Sequence, residues 1–322
     1  MRHIVFMGTP ESALASLKAV AEHPGSRLAG VFSQVDKPVG RGRRMGKSPV
    51  RLAAEELGVP VVTPAKSGDP EAMAALQRWR PDLIVVCAYG RILPRRVLDL
   101  PPLGCYNLHF SLLPRWRGAS PVQAAILAGD EFTGVSLQRM VFELDAGAIV
   151  AESDPVKIGS NETATTLAEC LAEVSARLIA DSLAEIFGGH APLRQQDIAR
   201  ITTCGVIRKE QGSVDWSTES AIEIERKHRA YTPWPGCYSY LGTRRLGLTR
   251  MELTDAPRIG ASSGESAPVS GTIGRDGIVP AKLGWLRLLE VQPEGKKAMP
   301  FSAFRNGNPW AIGGHLTPAP VE

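Results

Sequence analysis

The sequence predicts an α/β protein: a Rossmann-like, mostly parallel sheet with a small OB-like β-barrel appended after it. Two observations carry this prediction. Over about the first two hundred residues, apolar strand-length runs alternate with capped helical patterns, the βαβα order that builds a parallel sheet with helices on both faces. Beyond residue 188 that rhythm fades, and only short strand-like runs follow, the pattern of a small barrel. The length of 322 residues suits two domains. The expected organisation is a first domain over 1–188, a linker over 189–207 and a barrel over 208–322.

The elements follow in order. Residues 4–7 read as a strand, with Thr9 as N-cap and Pro10 at the first position of a helix running to about Glu22. A second apolar strand covers 28–32. Ser48-Pro49 repeats the cap-then-proline signal, and Gly58 stops that helix before a strand at 59–62. Asp69-Pro70 opens another helix. Residues 83–88 are apolar throughout, as suits a strand buried on both faces. A further strand at 104–109 and a helix from Ser120-Pro121 to Gly129 come next. Strands at 135–140 and 148–156 are joined by a short loop and read as an antiparallel extension. The longest helical pattern, 163–187, ends at Gly188-Gly189. Later come a short helix at 221–230 and strands near 237–241, 246–253 and 286–291. Residues 255–271, rich in Gly, Ser, Ala and Pro, read as a flexible loop.

Composition excludes several classes. With 43% apolar and 22% charged residues the chain can bury a core. The longest uninterrupted apolar run, 83–89, is too short to span a bilayer. The first run ends in Gly8-Thr9-Pro10, a strand and turn rather than a signal peptide. Five scattered cysteines without CxxC spacing argue against a zinc site and for free thiols in a reducing cytoplasm. No metal is expected. The net charge of +4 is more than accounted for by one window: Lys37, Arg41, Arg43, Arg44, Lys47 and Arg51 lie within 37–51 with no acid among them. Its Gly-Arg-Gly-Arg-Arg core reads as a mobile loop. Such a run is either a solvated face or a nucleic-acid contact.

Asn107, His109 and Ser111 form the strongest candidate cluster. Residues two apart on a strand share a face, so Asn107 and His109 can point together beyond the strand's carboxyl end, where open α/β sheets bind ligands. An amide N–H and an imidazolium aimed at one point would stabilise an oxyanion. The alternative is a satisfied strand-end histidine with a polar neighbour. Asp145, before Ala146-Gly147, could support His109 and take up protons, or could simply form a turn.

The run Asn107-Leu-His109-Phe-Ser111-Leu-Leu-Pro-Arg-Trp-Arg-Gly118, with Leu144-Asp145-Ala-Gly147 downstream, resembles the signature of the folate-dependent formyltransferase family. Further blocks extend the resemblance along nearly the whole chain: Gln34-Val-Asp36-Lys-Pro-Val-Gly40-Arg41-Gly42, Ser48-Pro49-Val50, Ala88 to Pro94, Val214-Asp-Trp216, Pro233-Trp-Pro235 and Gln292 to Met299. The resemblance implies formyl transfer from 10-formyltetrahydrofolate to the α-amino group of methionine on initiator tRNA, by a cytoplasmic monomer without membrane or metal. It implies catalytic roles for Asn107, His109 and Asp145. Folate contacts would fall on Tyr89, Gly90, Arg91, Ile92 and Leu93, largely through backbone, and on Ser111, Leu112, Leu113 and Pro114. It gives the basic window, with Arg41, Arg43, Arg44 and Lys47, the tRNA acceptor arm, and it adds Lys296 and Lys297, with Arg244 and Arg245, as second-site RNA contacts.

Three positions depart from the family pattern: Phe110 where glycine is usual, Val35 where proline is usual, and Val206 in place of a linker lysine. A formyltransferase acting on a small amine would lack both the basic window and the C-terminal barrel. A non-catalytic RNA-binding protein would have no use for three polar residues in catalytic register. A nicotinamide dehydrogenase is disfavoured by the missing GxGxxG.

Overall fold

The computed structural model describes residues 1–39, 44–256 and 269–320. Two compact units are present. The first comprises Met1–Ala125, Glu131–Ile158 and Thr166–Val206, and the second Ile126–Asp130, Gly159–Thr165 and Ile207–Glu322.

The chain opens with β1 (Arg2–Gly8), whose Ile4 to Met7 are fully buried. Here the expected cap differs. Pro10 precedes a short 3-10 turn, Glu11–Ala13, without a side-chain cap, and α1 begins only at Leu14 (Leu14–Glu22). The Thr9 hydroxyl instead donates to the Tyr89 carbonyl at 3.0 Å, a partner on a neighbouring strand end. After β2 (Ser26–Phe32) the basic window is not wholly loop: β3 (Lys37–Val39) and β4 (Arg44–Gly46) pair antiparallel at its base. Residues 40–43 lie outside the described residues.

Helix α2 (Pro49–Glu56) is capped by Ser48, which accepts from Arg51 N. β5 (Val61–Val62) follows, then α3 (Pro70–Trp79), where Asp69 accepts from Ala72 N at 2.9 Å. Those N–H bonds hold the Asp69 carboxyl below the usual carboxylate range. Next come β6 (Leu83–Cys87), buried at every residue, the short helix α4 (Arg95–Leu98), β7 (Cys105–His109) and β8 (Arg117–Gly118). After α5 (Pro121–Ala128) run β9 (Phe132–Thr133), β10 (Ser136–Arg139), β11 (Ile149–Glu152) and β12 (Val156–Lys157). The long α6 (Ala164–Gly188) and β13 (Thr203–Cys204) follow.

The main sheet has the order β11-β10-β7-β6-β1-β2-β5. From β5 to β7 every pairing is parallel, while β10 is antiparallel to both β7 and β11. The chain leaves β1 for β2 on one side and returns to β6 on the other. That reversal makes a topological switch, and the crevice outside the carboxyl ends of β1, β6 and β7 is where such sheets receive ligands.

In the second unit, α7 (Ala221–Ala230) starts with a Ser220–Glu223 capping box. Then come β14 (Cys237–Leu241), β15 (Arg244–Thr254), β16 (Ile278–Pro280), β17 (Trp285–Pro293), β18 (Met299–Pro300), α8 (Phe301–Gly307) and β19 (Leu316–Thr317). They form one antiparallel sheet, ordered β16-β17-β15-β14-β19 with β18 on β17. Irregular register between Leu248 and Met251 curls the long β15, which gives a small barrel-like unit. Its core gathers Trp216, Ile224, Leu248, Leu288, Val291 and Phe304. Of the expected loop at 255–271, residues 257–268 lie outside the described residues.

Candidate active site

Asn107 and His109 lie two apart at the end of β7, so their side chains leave the sheet on one face. Both reach one oxygen. Asp145 Oδ1 is 3.5 Å from Asn107 Nδ2 and 3.7 Å from His109 Nδ1. The cluster is well enclosed, with His109 only 5% exposed. The other ring nitrogen of His109, Nε2, is 2.9 Å from the Trp116 carbonyl oxygen. Both ring nitrogens of His109 therefore face oxygen atoms.

The Asp145 carboxylate has two more donors. Gln138 Nε2 donates to Oδ1 at 2.8 Å, and the Gly118 N–H donates to Oδ2 at 2.9 Å. Gln138 stands opposite Asn107 in the β10–β7 ladder and is 1% exposed. Sequence reasoning missed it, because a glutamine inside a short strand carries no local signal. Its register against β7 is the only clue, and pairing 31 residues apart is not legible from a single sequence.

The backbone here is held in uncommon conformations. Ala88, Trp116 and Asp145 adopt φ of 47°, 59° and 49°, three of the four left-handed non-glycine residues among the described ones. Such conformations persist where the surroundings over-determine them, often at functional sites. Two glycines press the same loops together: a Cβ at Gly118 would overlap the Cys204 carbonyl, and one at Gly147 the Arg139 carbonyl. Phe110 needs no glycine-like torsion and its side chain is buried.

The segment 89–94 borders the crevice outside any strand. The Tyr89 ring is buried, and its carbonyl accepts from Thr9 and from Gln34 Nε2 at 2.9 Å. Gly90 (φ 72°) packs against the same Gln34 amide. Arg91 donates to the Ala65 carbonyl, Ile92 is 75% exposed and Leu93 is buried. On the facing loop, Ser111 Oγ donates to Arg115 O, Leu113 N donates to Ser136 Oγ, Leu112 is half-buried and Pro114 is buried.

The basic window is partly neutralised at its base. Arg51 Nη1 meets both Asp36 oxygens at 2.9 and 3.0 Å, and its Nε meets Glu55 at 3.0 Å. Lys47 pairs with the same Glu55 at 2.6 Å. The Lys47 and then the Arg51 hydrogen bonds lower the Glu55 pKa, and Glu55 above all raises that of Arg51. Arg44 lies on β4, whereas Arg41 and Arg43 fall outside the described residues. In the second unit Lys296 and Lys297 are exposed in the turn after β17. Arg244 lies 5.9 Å over the Trp310 ring and Arg245 3.9 Å over the Tyr238 ring. All five cysteines are free, and burial pushes the Cys87 thiol up to about 12. No helix among the described residues is long and apolar enough to cross a membrane. No group of three His, Cys, Asp or Glu among them could hold a metal ion.

A sheet with a polar Asn–His–Asp cluster at its carboxyl edge, followed by an antiparallel barrel-like unit, meets two family profiles in order. Residues 1–183 match the one described as formyl transferase, and residues 206–309 match the formyl transferase C-terminal domain. The chain belongs to the formyl transferase family. Within it, the chain is 39% identical over 318 residues to the methionyl-tRNA formyltransferase of Citrifermentans bemidjiense, covering 97% of this chain and 96% of that one. It is 41% identical over 314 residues to that of Myxococcus xanthus, covering 96% of each. Among solved structures, WlaRD, a sugar 3N-formyl transferase crystallised with dTDP and 5-N-formyl-THF, superposes with a TM-score of 0.62 at 16% identity, over 92% of this chain and 99% of that one. HypX from Aquifex aeolicus in complex with tetrahydrofolic acid gives 0.60 at 16% identity; 96% of this chain matches 47% of HypX. These two likenesses are of fold.

Proposed function

We propose that this enzyme transfers the formyl group of 10-formyltetrahydrofolate to the α-amino group of methionine on initiator tRNA. The observation that carries the chemistry is the convergence of Asn107 and His109 on the Asp145 carboxylate at the carboxyl edge of the sheet. The near-full-length likeness to methionyl-tRNA formyltransferases supports the choice of acceptor.

The amine nitrogen attacks the formyl carbon, forming the new C–N bond and an oxyanion. Asn107 Nδ2–H and the His109 imidazolium stabilise that charge. Collapse breaks the bond from the formyl carbon to N10. The proton lost by the amine reaches N10 through Asp145 and water, which leaves tetrahydrofolate and the formylated amine.

The fit of a folate to this site rests on two features. The segment 89–94 has main chain outside the ladders and an exposed apolar Ile92, which suits a flat heterocycle that needs backbone hydrogen bonds. Leu112 and the buried Leu113 and Pro114 add the facing apolar rim. The basic window, with Arg41, Arg43, Arg44 and Lys47, takes the acceptor arm, and Lys296 and Lys297 a second stretch of phosphates. Contacts of this kind give salt-dependent affinity with little sequence reading.

With 10-formyltetrahydrofolate as donor, initiator Met-tRNA should be formylated faster than elongator Met-tRNA. His109→Ala should abolish turnover while tRNA binding persists. Equal use of the two tRNAs would overturn the assigned acceptor, and substantial turnover by His109→Ala the assigned chemistry.

A further inference from the structure

We propose that Gln196 is a positioning residue for the reaction: its side-chain amide holds the Asp145 turn against Arg117, and so keeps the carboxylate on Asn107 and His109. This rests on the reading that Asp145 takes part in the transfer.

All four hydrogen-bonding positions of the amide are used. Nε2 donates to the Asp145 carbonyl at 2.9 Å and to the Gly147 carbonyl at 2.7 Å. Oε1 accepts from Arg117 Nε at 2.9 Å and from Nη2 at 2.8 Å. Two carbonyls on one side and a guanidinium on the other fix which end is oxygen. The residue is 8% exposed.

What Gln196 grips cannot hold itself. Asp145 sits at φ 49°, a conformation that a non-glycine residue keeps only when its surroundings impose it. Gly147 leaves no room to shift toward β10.

The segment that carries Gln196 is anchored at both ends. Arg194 exchanges main-chain hydrogen bonds with Ile149 at 2.8 and 2.9 Å. Thr202 accepts from Trp116 N through Oγ1 at 2.8 Å and from Arg117 N through its carbonyl at 2.9 Å. Gln196 therefore reaches inward from a fixed strap. Two adjoining contacts bear on the cluster: the Trp116 carbonyl faces His109, and Arg117 leads into Gly118, which donates to Asp145.

The test is steady-state kinetics of Gln196→Met and Gln196→Glu in the full-length enzyme, with Asp145→Asn alongside. Methionine keeps the length and removes every hydrogen bond. Its kcat should fall about ten- to a hundredfold, with KM for the formyl donor and for Met-tRNA changed by less than about twofold. Glutamate keeps the shape and the Arg117 contact, but turns an oxygen toward two carbonyl oxygens. Its kcat relative to wild type should recover as the pH falls and its carboxyl gains a proton to donate. A merely structural glutamine would give a ratio that only tracks the melting temperature of the variant across the same pH series. Wild-type turnover by both variants, a rise in KM with kcat unchanged, or a ratio flat with pH would each overturn the proposal. Should Gln196→Met fail to fold, Gln196→Glu decides alone. Wild-type turnover by Asp145→Asn would instead overturn the reading of Asp145.

Discussion

Replacing Asp145 by asparagine tests the centre of the site with the least change of shape. An amide keeps only one acceptor oxygen where the carboxylate has two. Gln138 Nε2 and the Gly118 N–H now bond opposite oxygens at 2.8 and 2.9 Å, so one of them must face an NH2 group. An unsatisfied buried donor costs about 1–3 kcal/mol. A domain of ordinary stability, about 5–15 kcal/mol, survives that loss. The rate effect should be larger. Removing a group that carries protons in the transition state costs about 10²–10⁴ in rate, about 3–5 kcal/mol of barrier. The assay is single-turnover formylation of Met-tRNA at saturating 10-formyltetrahydrofolate, paired with a thermal melt of the same preparation. The expected result is a loss of at least about a hundredfold in rate with a cooperative melt only modestly lowered. A folded Asp145→Asn enzyme within a few-fold of the wild-type rate would refute the role given to the carboxylate.

Two further predictions address the RNA surface and the scaffold. Replacing Lys296 and Lys297 together by alanine should reduce the slope of log affinity against log salt by roughly two for charged tRNA, as read by binding over a salt series. An unaltered slope would remove both lysines from the interface. Asp69→Ala should destabilise the protein by about 1 kcal/mol through loss of the α3 cap, as read by denaturant melts. Because folding lowers the Asp69 pKa, that stability is present above the unfolded value and is lost as the pH falls through the folded one. The gap between wild type and variant should therefore close in acid.

The fold was legible where local chemistry is self-sufficient. Ser48 and Asp69 cap the helices expected of them, and the all-apolar run at 83–88 is the buried β6. Reading failed where a side chain serves a distant partner. The Thr9 hydroxyl bonds Tyr89 across 80 residues and so cannot cap α1. The three-residue strands β3 and β4 are too short to show alternation among glycines and arginines. Asn107 and His109 were visible because a strand's period of two is local. Their meeting with Asp145 depends on the β7–β10 register, and Gln138 and Gln196 enter the cluster by the same long-range route. Glutamine is neither a turn former nor a charge, so nothing nearby advertises it.

The position of the strap bears on how the chain can be divided. Residues 184–205 lie between the two family profiles, yet Gln196 and Thr202 grip the loops that hold Asp145 and Trp116. A truncation at residue 188 would keep Asn107, His109 and Asp145 while removing the clasp around them. The same stretch ends in Cys204, whose strand pairs with β8. Any chimera that exchanges C-terminal barrels between relatives should therefore cut after this point, so that each catalytic unit retains its own fastening.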